Sequence, residues 1–392
     1  MQQWEQTYNI AGPVEIHVEQ MDGALRIAGW DQSAVQVRAS WPGEGRIEDR
    51  LKIEVNGNEI SLNVKPYRTG FLGLVHDSLL DLEIMAPMGT YAVVDTGSGP
   101  VTVENTMGPT EVESGSGRVV LLRVGSAQVD SGSGSVQVQQ IAGSVEIETG
   151  SGRIDAEAVG GPARLETGSG AIAARRMAGG LDAETASGSI SAVDIVGAVM
   201  LETGSGSVKV SRVVSPSMEV EAGSGSIRLD TVDTRVLNLE TGSGSVDVEL
   251  ARIHPGGSYE ITTGSGRVVV GIPADAGLEL ELESSGHINY GGLGLRVHQQ
   301  DDDEISATLN GGGAFMRVEA GSGSLSLKPL SSAPAQPTDP EVAATRLAEV
   351  VKEDPALEHS QQMTRILKMV EEGKLSVDEA EKLLRALDGE EG

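Results

Sequence analysis

The chain contains no cysteine, so disulfides are excluded and no redox compartment can be read from it. Aromatic residues make up 3% of it, with two Phe, although 39% of residues are hydrophobic. The apolar content is mainly Val, Ile, Leu and Ala, which suits a slender core of thin layers. Basic residues are few, 29 Lys and Arg against 58 Asp and Glu. The resulting charge of -29 repels nucleic acid and anionic lipid surfaces, so no nucleic-acid partner is expected. No apolar run is long enough to span a bilayer, and no transmembrane segment is expected. Met1 to Glu5 offer neither a basic region nor an apolar run, so no standard signal peptide is expected and the default compartment is the cytoplasm.

What the chain does have is glycine, 52 residues of it, arranged in a repeat. Gly-Ser-Gly stands at Gly97, Gly115, Gly132, Gly150, Gly168, Gly204, Gly223, Gly242, Gly264 and Gly321. Degraded copies, Ala186-Ser187-Gly188 and Ser284-Ser285-Gly286, belong to the same series. From Gly97 to Gly204 the spacing is 17 or 18 residues, and it then lengthens. A fixed period of this size marks a repeat architecture. From the Gly97 copy to the Gly264 copy, Val, Ile, Leu or Ala stands three residues before the first corner position and Val or Ile four residues after it. Each copy therefore reads as two short strands broken by a glycine corner. A second corner falls near Gly108, Gly143, Gly161, Gly179 and Gly197, with Val159, Met177 and Ile195 expected to point inward. Glycine is expected at both corners because sharp bends need positive φ.

An antiparallel meander and a β-solenoid both fit this pattern. The meander would need more than about twenty strands in one open sheet, beyond the usual limit of about ten. The expected fold is thus mainly β: a β-solenoid of about twelve coils of 17–22 residues, right-handed by the crossover rule, with Gly-Ser-Gly corners in one column and parallel pairing.

Two further rows accompany the corner. Thr or Ser immediately before the first glycine, as at Thr149, Thr167, Thr185 and Thr203, should point inward and bond to corner backbone groups. One residue earlier comes an acidic row that includes Asp95, Glu113, Asp130, Glu148, Glu166, Glu184, Glu202, Glu221 and Glu240. It should face outward, either as a solvated face that deters edge pairing or as a stripe for cations or a basic partner. Glu148, Glu166, Glu184, Glu202, Glu221 and Glu240 are taken as candidate interaction residues.

No chemistry of a recognised kind interrupts the repeat. The spacing does not match calcium-roll repeats, Asp301 to Glu304 lacks the order of an EF-hand loop, and the six His show no metal-ligand spacing. No nucleophile elbow or phosphate-binding glycine loop occurs. No catalytic, cofactor-binding or metal residue is assigned, and the chain is expected not to be an enzyme. A β-helix enzyme acting on polysaccharide is the alternative; it would require a local cluster of unlike residues breaking the repeat, and no convincing one is present.

Residues 1–90 carry strand patterns, all three Trp, and Asn56-Gly57, a strong hairpin signal. They are read as a β-rich N-terminal cap, with a separate binding domain as the competing reading, and Leu80 to Met85 as a strand leading into the repeats at 91–328. Residues 329–340 form a Pro-rich linker. Residues 341–392 switch to helical period. Met363, Ile366, Leu367 and Val370 line one helix; Val377, Ala380, Leu383, Leu384 and Leu387 line the next. Gly373 closes the first, and Ser376 with Glu379 opens the second as a capping box. Ile366, Leu367, Val370, Leu383, Leu384 and Leu387 are the candidate docking residues, for self-association or a protein partner.

Glu166-Thr167-Gly168-Ser169-Gly170-Ala171-Ile172 and its copies resemble a bacterial β-strand repeat domain of unknown function labelled "putative adhesin". Ile366 to Ser376 with Glu379 to Leu384 resemble the short helical module found with that domain. The pairing is similar to bacterial envelope-stress proteins of the daptomycin-sensing kind, in which the module commonly comes first; here it is last. The resemblance implies an adhesin or envelope-stress role with no catalytic residues. The residues themselves point to a non-enzymatic scaffold built on an acidic solenoid.

Overall fold

A computed structural model describes residues 1–10, 12–65, 68–69, 75–76 and 79–330. Period-two alternation makes the strands. In Tyr91–Thr96, Ala92, Val94 and Thr96 are buried while Tyr91, Val93 and Asp95 face out. Each copy contributes one strand before its corner and one after, and each pairs in parallel with its counterpart in the next copy. Before the corner the ladder runs Val94, Val112, Val129, Ile147, Leu165, Ala183, Leu201, Val220, Leu239, Ile261. After it runs Val101, Val119, Val136, Ile154, Ile172, Ile190, Val208, Ile227, Val246, Val268. These are the columns the repeat arithmetic lines up, in an open, mostly parallel β stack of the kind a solenoid makes; the meander is not what forms. Val159, Met177 and Ile195 are in register and fully buried.

The glycines are explained by crowding rather than by φ, which corrects the expectation. Positive φ occurs at a few of them, such as Gly197, Gly225 and Gly266, and not at Gly168 or Gly170. A Cβ at Gly170 would stand 1.8 Å from the Gly152 carbonyl oxygen, and one at Gly168 2.5 Å from that of Gly150. Successive corners stack backbone on backbone; a side chain at the third position would separate the coils, and one at the first would crowd them.

Positive φ instead falls on a column of non-glycine residues eight past the corners from Gly97 to Gly223: Asn105, Arg123, Gln140, Ala158, Arg176, Asp194, Arg212 and Thr231, with φ of 55° to 60°. This conformation costs an L-residue about 1–2 kcal/mol. Bonds along the stack offset part of it: Arg123 donates to Asn105, and Arg212 makes two bonds to Asp194 at 2.6 and 2.8 Å.

From Thr149 to Thr203 the threonine row behaves as expected. Thr167 Oγ1 accepts from Gly170 N–H (3.1 Å) and donates to Gly152 O in the preceding coil (3.0 Å). Thr185 repeats this with Gly188 and Gly170, and Thr203 with Gly206 and Gly188.

Chain order and stacking order part company at both ends. At the start, β1 (Gln2–Asn9), β2 (Glu15–Gln20), β3 (Leu25–Trp30), β4 (Ala34–Trp41), β5 (Leu51–Asn56) and β6 (Glu59–Val64) belong to the same sheet system as the repeats. β2 and β3 stack directly on the first repeat. β6 and the strand Asp81–Pro87 lie outside them. Leu80 to Met85 therefore precede the repeats in sequence but sit a layer away from them. The Asn56-Gly57 hairpin forms as expected, with β5 antiparallel on β6. β4 is antiparallel on Asp81–Pro87, and β1 on β4. At the far end Ala314–Ala320 and Ser324–Leu330 stack on Ser258–Ser265 and Arg267–Pro273. The earlier strands Leu278–Ser284 and Ile288–Asn289 lie outside them. The coil of Gly286 thus follows Gly264 in sequence and stands beyond Gly321 in space. Antiparallel strands Glu304–Leu309 and Arg296–Gln300 finish that end.

Candidate interaction surface

The acidic row stands on the strand before each corner, where alternation turns it outward while its neighbours on either side go into the core. Asp95, Glu113, Asp130, Glu148, Glu166, Glu184, Glu202, Glu221 and Glu240 are mutually in register along one face. All six candidate glutamates are therefore brought into one line. Neighbours in such a ladder stand about 4.8 Å apart. Glu19 continues the row at one end, paired with Asp95. Sequence reading missed it because its corner is Met21-Asp22-Gly23. The corner serines beside the row, Ser151, Ser169, Ser187 and Ser205 among them, are exposed, so the face offers carboxylates flanked by hydroxyls.

The strands after the corner carry their charge differently. Arg153 bonds Asp155 at 2.7 Å, Arg176 meets Glu157 at 2.8 Å, and Arg212 clamps Asp194. In the acidic row, among the described residues, Glu166 has the cationic neighbour, Arg164, at 3.6 Å. Partial burial and then the carboxylates of Glu202, Glu166 and Asp182 push Glu184 above the usual range, and burial with Glu202, Glu219 and Glu240 does the same to Glu221. Both folded-state values are raised, so these groups contribute stability below the ordinary carboxylate value, and that contribution is lost as pH climbs through the raised one. Glu184→Gln and Glu221→Gln should each stabilise the fold at neutral pH by about 0.2–1 kcal/mol, the size of a like-charge cross-strand contact. Thermal melts at pH 7 and pH 5 check this: the gain over wild type should shrink at pH 5 and in high salt.

Among the described residues, no group of three or more His, Asp or Glu is placed to hold a metal ion. One buried polar cluster had no sequence signal. His254 Nε2 lies 2.5 Å from Asp233 Oδ1. The fully buried Tyr259 donates to Thr234 O and accepts from His254 N–H, both at 3.0 Å. Burial raises the Tyr259 phenol. The cluster ties the wider coil between Gly242 and Gly264, which holds His254 and Tyr259, to Asp233 and Thr234 of the coil before it. Ile366, Leu367, Val370, Leu383, Leu384 and Leu387 lie outside the described residues, and the helices expected there do too.

The Toastrack DUF4097 family matches at residues 14–194 and 164–328. The chain belongs to that family. Residues 361–392 match a SHOCT-like domain, where the short module was expected. Among curated proteins none matches. Solved structures resembling the Toastrack stack include a "putative cell adhesion protein" from Clostridium sporogenes, 10% identical, covering 84% of this chain and 100% of that one at a TM-score of 0.25. Two come from Parabacteroides distasonis. One is a "putative adhesin", 10% identical, covering 83% and 97% at 0.28. The other is a "putative lipid binding protein", 14% identical, covering 83% and 96% at 0.25. Likeness at that level carries no functional argument for this Toastrack chain. Among its described residues no helix is long and apolar enough to cross a membrane.

Proposed function

We propose that this Toastrack protein acts by binding rather than by turnover. Its stack serves as a stiff scaffold whose acidic row engages the basic surface of a protein partner. The C-terminal module supplies a second surface through Ile366, Leu367, Val370, Leu383, Leu384 and Leu387, joining copies of the chain or docking a partner. The observation that supports this reading is the column from Asp95 to Glu240, in register and short of cations, beside strands that carry the pairs Arg153–Asp155, Arg176–Glu157 and Arg212–Asp194. A column of this kind keeps its field for an incoming cationic surface, and complementary potentials speed and orient encounter.

The test compares the full chain with a variant carrying Glu166→Lys, Glu184→Lys and Glu202→Lys in capture of proteins from cells that make it. Basic partners held by the wild type should fall at least tenfold on the variant and weaken in high salt. Capture that survives both changes rejects the acidic row as the binding surface. Labelling of intact cells then decides between an internal partner and an adhesin-type role at the envelope.

A further inference from the structure

Among the described residues the main stack leaves four strand edges open, β5 and β1 at one end and Ile288–Asn289 and Arg296–Gln300 at the other. Natural edges are protected against further pairing by charge, shortness or bulges. β5 carries Lys52 and Glu54, ion-paired at 2.8 Å. Ile288–Asn289 is two residues long. Arg296–Gln300 has a register shift between Val297 and Gln299. β1 is neither short nor bulged. It is eight residues long, QQWEQTYN, in unbroken register against β4. Its one charge, Glu5, is already held by Arg38 at 3.0 Å and Gln36 at 2.9 Å.

The backbone of β1 is also ready to pair. Ile10 N–H donates to Ser33 O, in the same register as the β1–β4 ladder, so the even-numbered residues turn their backbone groups toward β4. Gln3, Glu5, Thr7 and Asn9 turn theirs to the open edge. Trp4 and Tyr8 lie on the inward side, half-buried and packed against the core, with Gln6 exposed between them.

We propose that β1 pairs antiparallel with β1 of a second copy of this chain, about a twofold axis through Gln6, joining two stacks end to end. The chemistry of the strand selects this register. It sets Trp4 opposite the partner's Tyr8, completing two aromatic cross-strand pairs of a favourable kind. It sets Glu5 opposite the partner's Thr7 and Gln3 opposite the partner's Asn9, so that the outward-turned backbone groups meet. An axis through Glu5 would oppose two carboxylates, and one through Thr7 would shorten the overlap. The surface is distinct from both the acidic row and the C-terminal module.

Light scattering on the full chain tests it. The wild type should have at least twice the 40.7 kDa chain mass, and Gln6→Lys, which sets two ammonium groups face to face on an exposed position, should halve it. Gln6 pairs with itself in this register, so Gln6→Cys, the sole cysteine of the variant, should give a disulfide-linked dimer under air oxidation. Opposed Cβ atoms there stand about 4.5–5.5 Å apart, close to the about 3.5–4.5 Å a disulfide spans. Gln299→Cys at the opposite end should not cross-link. A Gln6→Lys mass equal to the wild type, whether one chain or more, overturns the proposal, as does a Gln6→Cys chain that stays reduced. Association through the C-terminal module alone would give the first of these results.

Discussion

Gly170→Ala should unfold the coils around it, while Gly168→Ala, two residues away, should cost far less. The two corner columns are crowded to different degrees. A Cβ in the first column would stand 2.4–2.6 Å from the carbonyl of the preceding coil, and in the third column 1.6–2.0 Å. The chain already contains the milder experiment, because Ala186 occupies a first position with coils stacked on both sides of it. The third position is glycine in every stacked corner, including the degraded copies at Gly188 and Gly286. A methyl group at Gly170 meets backbone atoms of Gly152 and, at 2.9 Å, the Thr167 hydroxyl, so no side chain can turn aside to admit it. The cost should be on the order of 4 kcal/mol, in the range of severe core lesions. Gly168→Ala should cost about 1–2 kcal/mol, as moderate overpacking does. Chemical denaturation of the two variants beside wild type measures the contrast, and equal losses would show that crowding does not set the glycine pattern.

Ile172→Asp should do comparable damage by a different route. Ile172 is 1% exposed and stacked between Ile154 and Ile190. A carboxylate there has no partner and no water, and burying it costs several kcal/mol. Because coils in a stack touch mainly their neighbours, hydrogen exchange should quicken most between about residues 150 and 190 and fade toward both ends. A uniform rise along the stack would mean that it melts as one unit.

Much of the architecture was legible because stacking in register forces like residues into like positions. Val, Thr and Glu recur around each corner for three separate reasons: burial, bonding of corner backbone groups, and exposure. The reason for glycine was not legible, since spacing alone does not separate a need for positive φ from a need for room. That confusion hid the coil formed by β2 and β3. Its corner, Met21-Asp22-Gly23, keeps the third glycine, and Gln20 takes the threonine place with its side chain bonded to Gly23 O. The left-handed column from Asn105 to Thr231 was hidden for the complementary reason, because its residues share a conformation but not a type. The order of coils at the ends was illegible too. A corner motif announces a coil and says nothing of which coil it lies on. The acidic row was readable as a row, but its shortage of cations became clear only beside the ion pairs of the strands after the corner. The Asp233, His254 and Tyr259 cluster joins residues that carry no motif.

The out-of-order closing of the stack bears on how it would respond to pulling. In a simple coil-by-coil winding the last coil is an edge, and tension on it unzips one rung at a time. Here the last described strand, Ser324–Leu330, is held along its length by Arg267–Pro273 and, at Leu325 and Ser326, on its other side by Ile288–Asn289. Its companion Ala314–Ala320 is likewise held between Ser258–Ser265 and Leu278–Ser284. A load on this strand must therefore break bonds on two sides together at Leu325 and Ser326 before its coil can peel. Forced unfolding is governed by the height of that first barrier, so the winding makes this end a mechanical anchor.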